Sequence, residues 1–279
     1  MKFLCERRNF SARRACHLVK LSRSVLKYRR RPDRNTKLRR ALKALARKHR
    51  SAGSRMLHLY LKRKGWRVNY KRVERLYREE RLSLRKKRKK KLRATLRVVH
   101  PKATRLNECW SIDFMSDALT DGRAIRVLTA VDETSTEGLL AEPRFSFPAR
   151  HVTRALDEVA RARGAYPKRI RSDNGPEFVS AHFQQWCVEH HVIHDPIEPG
   201  KPFQNPYCES FNGRLRAECL DAELFVSLAD AQQKLRRFLG LYNHSRPKRS
   251  LGGIPPSEWA AALPNAHTNT RSKARGGSK

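Results

Sequence analysis

Three acids stand where a folding chain has little reason to keep a charge. Asp113 lies inside the apolar run CWSIDFM (109–115), Asp173 follows the short run RIRS (169–172), and Glu209 sits in a helical stretch that Pro206 opens. Charge within or at the ends of core strands is costly unless it is paired or bound to metal. Taken singly, each acid suits a cap or a salt bridge. Taken together they are hard oxygen donors from three separate elements, with no clustered Cys or His, and such a set suits Mg²⁺ or Mn²⁺. Two such ions roughly 3.5–4 Å apart would activate an attacking oxygen on one side of a phosphodiester and stabilise the leaving oxygen on the other. No protein nucleophile is then required. Glu209, Asn212, Gly213 and Arg216 fall at i, i+3, i+4 and i+7, hence on one helix face. Gly213 would admit a close strand or phosphate, and Arg216 would hold a phosphate or offset charge beside Glu209. Lys201, Gln204 and Asn205 occupy the loop just ahead, where DNA contact and plain solvation are equally good readings. Asn174 serves the turn Asn174-Gly175-Pro176 before it serves any substrate.

These acids need a scaffold, and the second part of the chain supplies one. Residues 109–115 and 124–131 read as strands around an Asp121-Gly122 hairpin turn, with a third strand at 138–146. Pro148 starts a helix to about Arg163, its Val152, Leu156, Val159 and Ala160 on one face, and Gly164 to Pro167 break it. Strand 169–172, a helix at about 179–190, strand 192–197 and a helix from Pro206 to Leu220 follow. Three strands in meander and then alternating helix and strand predict an α/β sheet with mixed pairing. Trp110 and Trp186 read as core aromatics, and His190, His191 and His194 as surface or strand-edge residues.

The chain's 279 residues carry a net charge of +37, yet 39% are hydrophobic, enough for a packed core. The charge is uneven. Residues 1–104 hold 39 Lys and Arg against 5 Asp and Glu, while 105–279 hold 24 against 21. An excess of that size favours nucleic acid as the partner. A membrane is disfavoured, because the basic segments lack a wide apolar face and no run approaches the roughly 18–20 residues of a span. The start MKFLCERRNF turns charged too early for a signal peptide, so a cytoplasmic protein is expected. Six cysteines without a C-x-x-C pair read as reduced, mostly buried small residues.

Within the basic part, apolar residues recur at helical spacing. Residues 10–31 read as helix, a turn at Leu21-Ser22, and a second helix capped by Ser22 or Ser24. Leu38, Leu42 and Leu45 line a helix at 35–50; Gly53 opens another, ended at Lys64-Gly65. Asn69 can cap a further helix, with Val73, Leu76 and Tyr77 inward and Lys71, Arg72, Arg75 and Arg78 outward. A helix, a turn and a basic helix fit a helix-turn-helix whose second member, 69–81, enters the major groove. A basic bundle that touches phosphates without reading bases is the plainer alternative. RKKRKKK (85–91), including Arg85, Lys86, Lys87 and Arg88, reads as a linker that orders on DNA.

Four ordered blocks, WSIDFM (110–115), RSDNGPEF (171–178), PGKPFQNPYCESFNGRLRAECL (199–220) and YNHSRPKRSLGGIPP (242–256), together resemble the OrfB transposases of the IS-three family of insertion sequences. These belong to the wider group of DDE transposases and retroviral integrases. The 35 residues between Asp173 and Glu209 match the spacing of that group, and Arg216 falls where it carries Lys or Arg. RACHLVKLSRS (14–24) and RVNYKRVERLYREERL (67–82) extend the likeness over nearly the whole chain.

The resemblance implies an RNase H-like mixed five-stranded sheet with flanking helices, preceded by an all-α helix-turn-helix region. It also implies Asp113, Asp173 and Glu209 as catalytic metal ligands for Mg²⁺ or Mn²⁺, two ions being expected. The implied reaction is cleavage at an element's terminus by water, then attack of the freed 3′-hydroxyl on another phosphodiester. Implied partners are double-stranded DNA at element ends and target, further copies of the chain on DNA, and an OrfA protein or OrfA–OrfB fusion. The implied setting is the bacterial cytoplasm, at the nucleoid. The expected division is a basic helix-turn-helix region at 1–83, a Lys/Arg-rich linker at 84–104, a catalytic domain at 105–262 and a basic disordered tail at 263–279. Ser54 and Arg55, Glu133 to Ser135, and Cys208 depart from the family pattern. The first pair touches helix-turn-helix details, the second is expected to loosen a strand edge, and Cys208 suits a buried face. Two rival readings remain: a non-catalytic regulator bound at element ends, and an RNase H-type nuclease that cuts without joining.

Overall fold

Gly122 turns the chain in the left-handed region, at φ 85°, and thereby joins β1 (Cys109–Ala118) to β2 (Ala124–Asp132) as an antiparallel hairpin. β3 (Gly138–Arg144) continues the meander. α6 (Ala149–Arg163) ends at Gly164, also left-handed, and returns the chain for β4 (Arg169–Ser172), which pairs with β1 in parallel. β5 (Ile193–Pro196) adds parallel to β4. The result is the mixed five-stranded sheet expected from the pattern, in the order β3-β2-β1-β4-β5. The computed structural model describes residues 6, 9–29, 32–84, 103–198 and 204–263. Arg85, Lys86, Lys87 and Arg88, Lys201, Cys5 and the tail expectation beyond 263 lie outside the described residues.

Period-two alternation gives the sheet two apolar faces. Trp110, Ile112, Leu128, Ala130 and Ile170 pack against α6 and against α8 (Ala181–Glu189). Met115, Val127 and Val131 meet Cys208, Phe211 and Leu215 of α9 (Pro206–Leu215), with Leu235, Phe238 and Tyr242 of α10 (Leu228–His244) behind. Two details differ from the sequence expectation. The helix predicted at 179–190 is α8, capped by Ser180, and a short helix, α7 (Pro176–Val179), not foreseen from the sequence, precedes it. The helix from Pro206 changes at Arg216 into a π-helical turn, Arg216–Leu220.

Gly138 is where the chain leaves the β2–β3 corner under α9 and α10. A Cβ there would lie 2.5 Å from the Phe211 ring and 2.9 Å from Leu239. Asn243 of α10 closes the corner, accepting from Gly138 N at 2.9 Å and donating to Gly138 O at 2.8 Å. Gly138→Ala is therefore expected to destabilise the fold by about 1–3 kcal/mol through overpacking, as a lower urea midpoint at unchanged slope will report.

The regular structure among the described residues of the basic part is all helical. α1 (Ala12–Leu18) and α2 (Arg23–Lys27) are capped by Ser11 and Ser22. α3 (Thr36–Lys48), α4 (Ser54–Arg63) and α5 (Tyr70–Glu79) bury Leu38, Leu42, Leu45, Leu57, Leu61, Val73 and Leu76 in one core. Gly65, at φ 83°, makes the turn between α4 and α5, and Asn69 caps α5 through Lys71 N. α4 forms despite Ser54 and Arg55: Ser54 Oγ reaches Tyr70 Oη at 3.2 Å and Arg55 lies over the Tyr70 ring. No helix among the described residues is long and apolar enough to cross a membrane.

Candidate active site

Parallel pairing of β1 with β4 sets Ser111 opposite Arg171. Two residues further on, the same register and the same face bring Asp113 beside Asp173, where β4 has just ended. α9 crosses above. Asn205, its N-cap, donates from Nδ2 to Ile112 O at 3.2 Å, and Asn212 donates from Nδ2 to Asp113 Oδ2 at 2.9 Å. Asp113 Oδ1 accepts from Phe114 N at 2.7 Å, and Asp173 Oδ1 accepts from Gly175 N at 3.1 Å. Burial pushes the Asp113 carboxyl up to about 6, and the Asp173 charge adds to the rise against the two donors.

Two neighbouring carboxylates held apart from any cation are a poor arrangement for stability and a good one for a hard divalent ion. Among the described residues, none of the ion pairs involves Asp113, Asp173 or Glu209. Glu209 stands in the first turn of α9, exposed, one helical turn before Asn212. Its carboxylate makes no hydrogen bond among the described residues, and the three acids do not close into one cluster there. The donor chemistry fits at the aspartate pair, with Glu209 an exposed third acid on the adjoining helix.

The titration of Asp113 has a sign that can be checked. The folded protein keeps a proton on Asp113 that the unfolded chain, at the ordinary value of 3.8, releases. Metal-free stability is therefore expected to fall as pH rises from about 4 to about 6, by on the order of 3 kcal/mol. Urea titrations in chelator across that range, with Asp113→Asn as the flattened comparison, provide the measurement.

The other expected contact residues are placed as follows. Gln204 and Asn205 are buried; Gln204 accepts from Glu198 N and donates to Glu198 Oε1, both at 2.8 Å. Asn212 is buried too, and its Oδ1 has no partner. Arg216 donates to Ser116 O of β1 at 2.8 Å and lies 3.7 Å from Asp221. A Cβ at Gly213 would meet nothing within 4 Å, so no protein strand approaches it. Asn174 donates to Ile197 O at 2.7 Å and so ties the turn to the end of β5. On α5, Arg72 donates to Asn35, Arg75 and Arg78 pair with Glu79 and Glu74, and Lys71 is exposed.

Residues 103–202 and 190–256 each match the Integrase core domain family, and residues 32–91 match the HTH-like domain family. The IS407 insertion-element protein of Burkholderia multivorans is 43% identical over 264 residues, covering 94% of this chain and 94% of its own length. The chain belongs to the IS-three family of insertion-sequence transposases. The IS476 insertion-element protein of Xanthomonas euvesicatoria is 41% identical, over 92% of this chain and 75% of its own. Among solved structures, this chain is similar to a chain of the simian T-cell lymphotropic virus intasome in complex with PP2A regulatory subunit B56 gamma. The TM-score is 0.53 at 18% identity, over 86% of this chain and 80% of that one, a likeness of fold.

The chain also holds a polar row that residue type and spacing did not mark. Behind the aspartates, Arg171 Nη1 meets Glu133 Oε1 at 2.6 Å and Nη2 meets Asp195 at 3.0 Å, while Ser111 Oγ donates to Glu133 at 2.6 Å. The Glu133 and Arg171 side chains are 1% and 3% exposed. Asp132 accepts from Asn107, Thr134 and Ser135 backbone N–H groups. The expectation that Glu133 to Ser135 loosen a strand edge is therefore corrected: they fasten it. The available signal was the coincidence of an Arg at 171 with an acid at 133, and that coincidence has meaning only once the register is known. Cys208 is fully buried, as expected, with Sγ 3.4 Å from Thr129 Oγ1.

Proposed function

We propose that the chain catalyses Mg²⁺-dependent cleavage at insertion-sequence ends and 3′-hydroxyl strand transfer, with Asp113, Asp173 and Glu209 as its metal-holding acids. The observation that carries the reading is the Asp113–Asp173 pair, two carboxylates side by side without a cation, one of them raised to about 6. A bound divalent ion, or two, would polarise a phosphoryl oxygen and lower the pKa of an attacking water or hydroxyl. The chain's own groups do the rest. Asn212 and Phe114 N hold Asp113 in one orientation, the Gly175 turn holds Asp173, and α9 carries Glu209 on an exposed turn beside them. Arg216, fixed to the end of β1, stands one helical face further along to offset phosphate charge.

In this reading double-stranded DNA, element end and target, is the partner, and the chain works as an oligomer on DNA with an OrfA protein or as an OrfA–OrfB fusion. Residues 1–83 hold DNA through α5, with Lys71, Arg72, Arg75 and Arg78; 84–104, with Arg85 to Arg88, link to the catalytic domain at 105–262. Lys201, Gln204, Asn205 and Asn212 border the DNA end. The protein acts at the nucleoid of a bacterial cell.

The test supplies the chain and its OrfA protein with a duplex that carries the element terminus, and Mg²⁺. A nick that leaves a 3′-hydroxyl at the terminus, while an RNA–DNA hybrid stays intact, is the expected result. Cleavage of the hybrid with no end-specific nick would support an RNase H-type nuclease, and binding without any nick a regulator.

A further inference from the structure

We infer that the cleft between the C-terminal end of α3 and α10 is a second DNA-backbone site, held by the free cations of its α3 wall. It rests on the reading above that DNA is the partner. The cleft encloses 540 Å³. Arg47, Lys48 and Arg50 form one wall; Lys234, Arg237 and Arg246 line the other.

The two walls differ in how their charge is met. Lys234 pairs with Asp230 at 2.7 Å, Arg237 with Glu223 at 2.6 Å, and buried Arg246 with Glu218, which also accepts from Ser51 Oγ at 2.6 Å. Arg47, Lys48 and Arg50 are exposed and enter no ion pair among the described residues. The α3 dipole favours cations at Arg47 and Lys48. Arg50 lies past the helix, and the dipole does not explain why the cations flank a hollow on both sides. A second cavity of 450 Å³ shares the unpaired Arg47 and Arg50, adds Lys43, which pairs with Glu80, and runs to Leu82 and Leu84. The chain then enters RKKRKKK. Uncompensated charge of one sign along a concave strip focuses the field toward a polyanion. Cations spread over two joined hollows match a run of phosphodiesters rather than a single phosphate.

The test titrates the full chain with two duplex oligonucleotides, one of random sequence and one carrying the element terminus, over a series of salt concentrations. Arg47→Gln with Arg50→Gln is expected to weaken both duplexes alike and to lower the slope of log K against log salt by about 2, near 0.9 per phosphate contact. Arg47→Lys with Arg50→Lys is expected to keep the slope. Should the glutamine pair melt early, Lys48→Gln alone carries the test, with a slope change of about 1. A folded glutamine variant with wild-type affinity and slope overturns this site while leaving the DNA reading intact. A wild-type chain that binds neither duplex at low salt overturns the DNA reading, and this site with it.

Discussion

Asp113→Asn, Asp173→Asn and Glu209→Gln are each expected to lower Mg²⁺-dependent strand cleavage and joining by at least about a thousandfold, with DNA affinity retained. The size follows from the chemistry: metal-assisted phosphoryl transfer draws several kcal/mol from charge stabilisation, and about 4 kcal/mol is a thousandfold in rate. The retained affinity follows from charge distribution, since residues 1–104 hold the excess of cations and none of the three acids. The variants should separate in stability. Burial raises the pKa of Asp113, so Asp113→Asn removes an unfavourable buried charge and should melt no lower than wild type in chelator at neutral pH. Single-turnover assays beside filter binding and thermal melts measure all three quantities. Loss of binding in step with chemistry would mean that the acids support structure instead.

Arg171→Met is expected to be the most destabilising single change in the sheet, at on the order of 3–5 kcal/mol, because it strands Glu133 as a buried charge. Glu133 would keep Ser111 but lose its guanidinium, and Asp195 would lose its partner as well. Adding Glu133→Gln to Arg171→Met should recover part of the loss, since the double variant no longer buries a lone charge in a nearly closed place. Urea unfolding of both singles and the double gives the coupling directly. Arg171 lies opposite Ser111, two residues before Asp173. A weakened row should therefore also relax the alignment of the two aspartates, and activity should fall further than the folded fraction alone explains. Additive singles with unchanged activity would remove this row from the account of the site.

Local grammar carried much of the fold. The inward set Val73, Leu76 and Tyr77, the Asn69 cap, the Asp121-Gly122 turn and the strand at 169–172 are all present as their spacing predicts. What local spacing could not encode is which surfaces meet. α10 presents an ordinary apolar face in Ala231, Leu235, Phe238 and Tyr242, but its place is fixed by Asn243 on Gly138, far apart in the chain. Glu133, in the turn after β2, is expected from the sequence to loosen a strand edge because it departs from the family pattern; its buried partner Arg171 on β4 is found only once the register is known. Residue type and interval marked Asp113, Asp173 and Glu209 as a set. The adjacency of the first two comes from the β1–β4 register, and the contact of Asn212 with Asp113 from the packing of α9.

The most direct measurement offers the chain, together with its OrfA protein, a precut element end with a free 3′-hydroxyl, a labelled target duplex and Mg²⁺, beside the triple variant Asp113→Asn, Asp173→Asn, Glu209→Gln. Joined products longer than either duplex, present for wild type, absent with chelator and absent for the folded, DNA-binding triple variant, are the expected result. Equal joining by the triple variant, or a wild-type chain that binds the end and never joins it, would contradict the assignment of these acids to strand transfer.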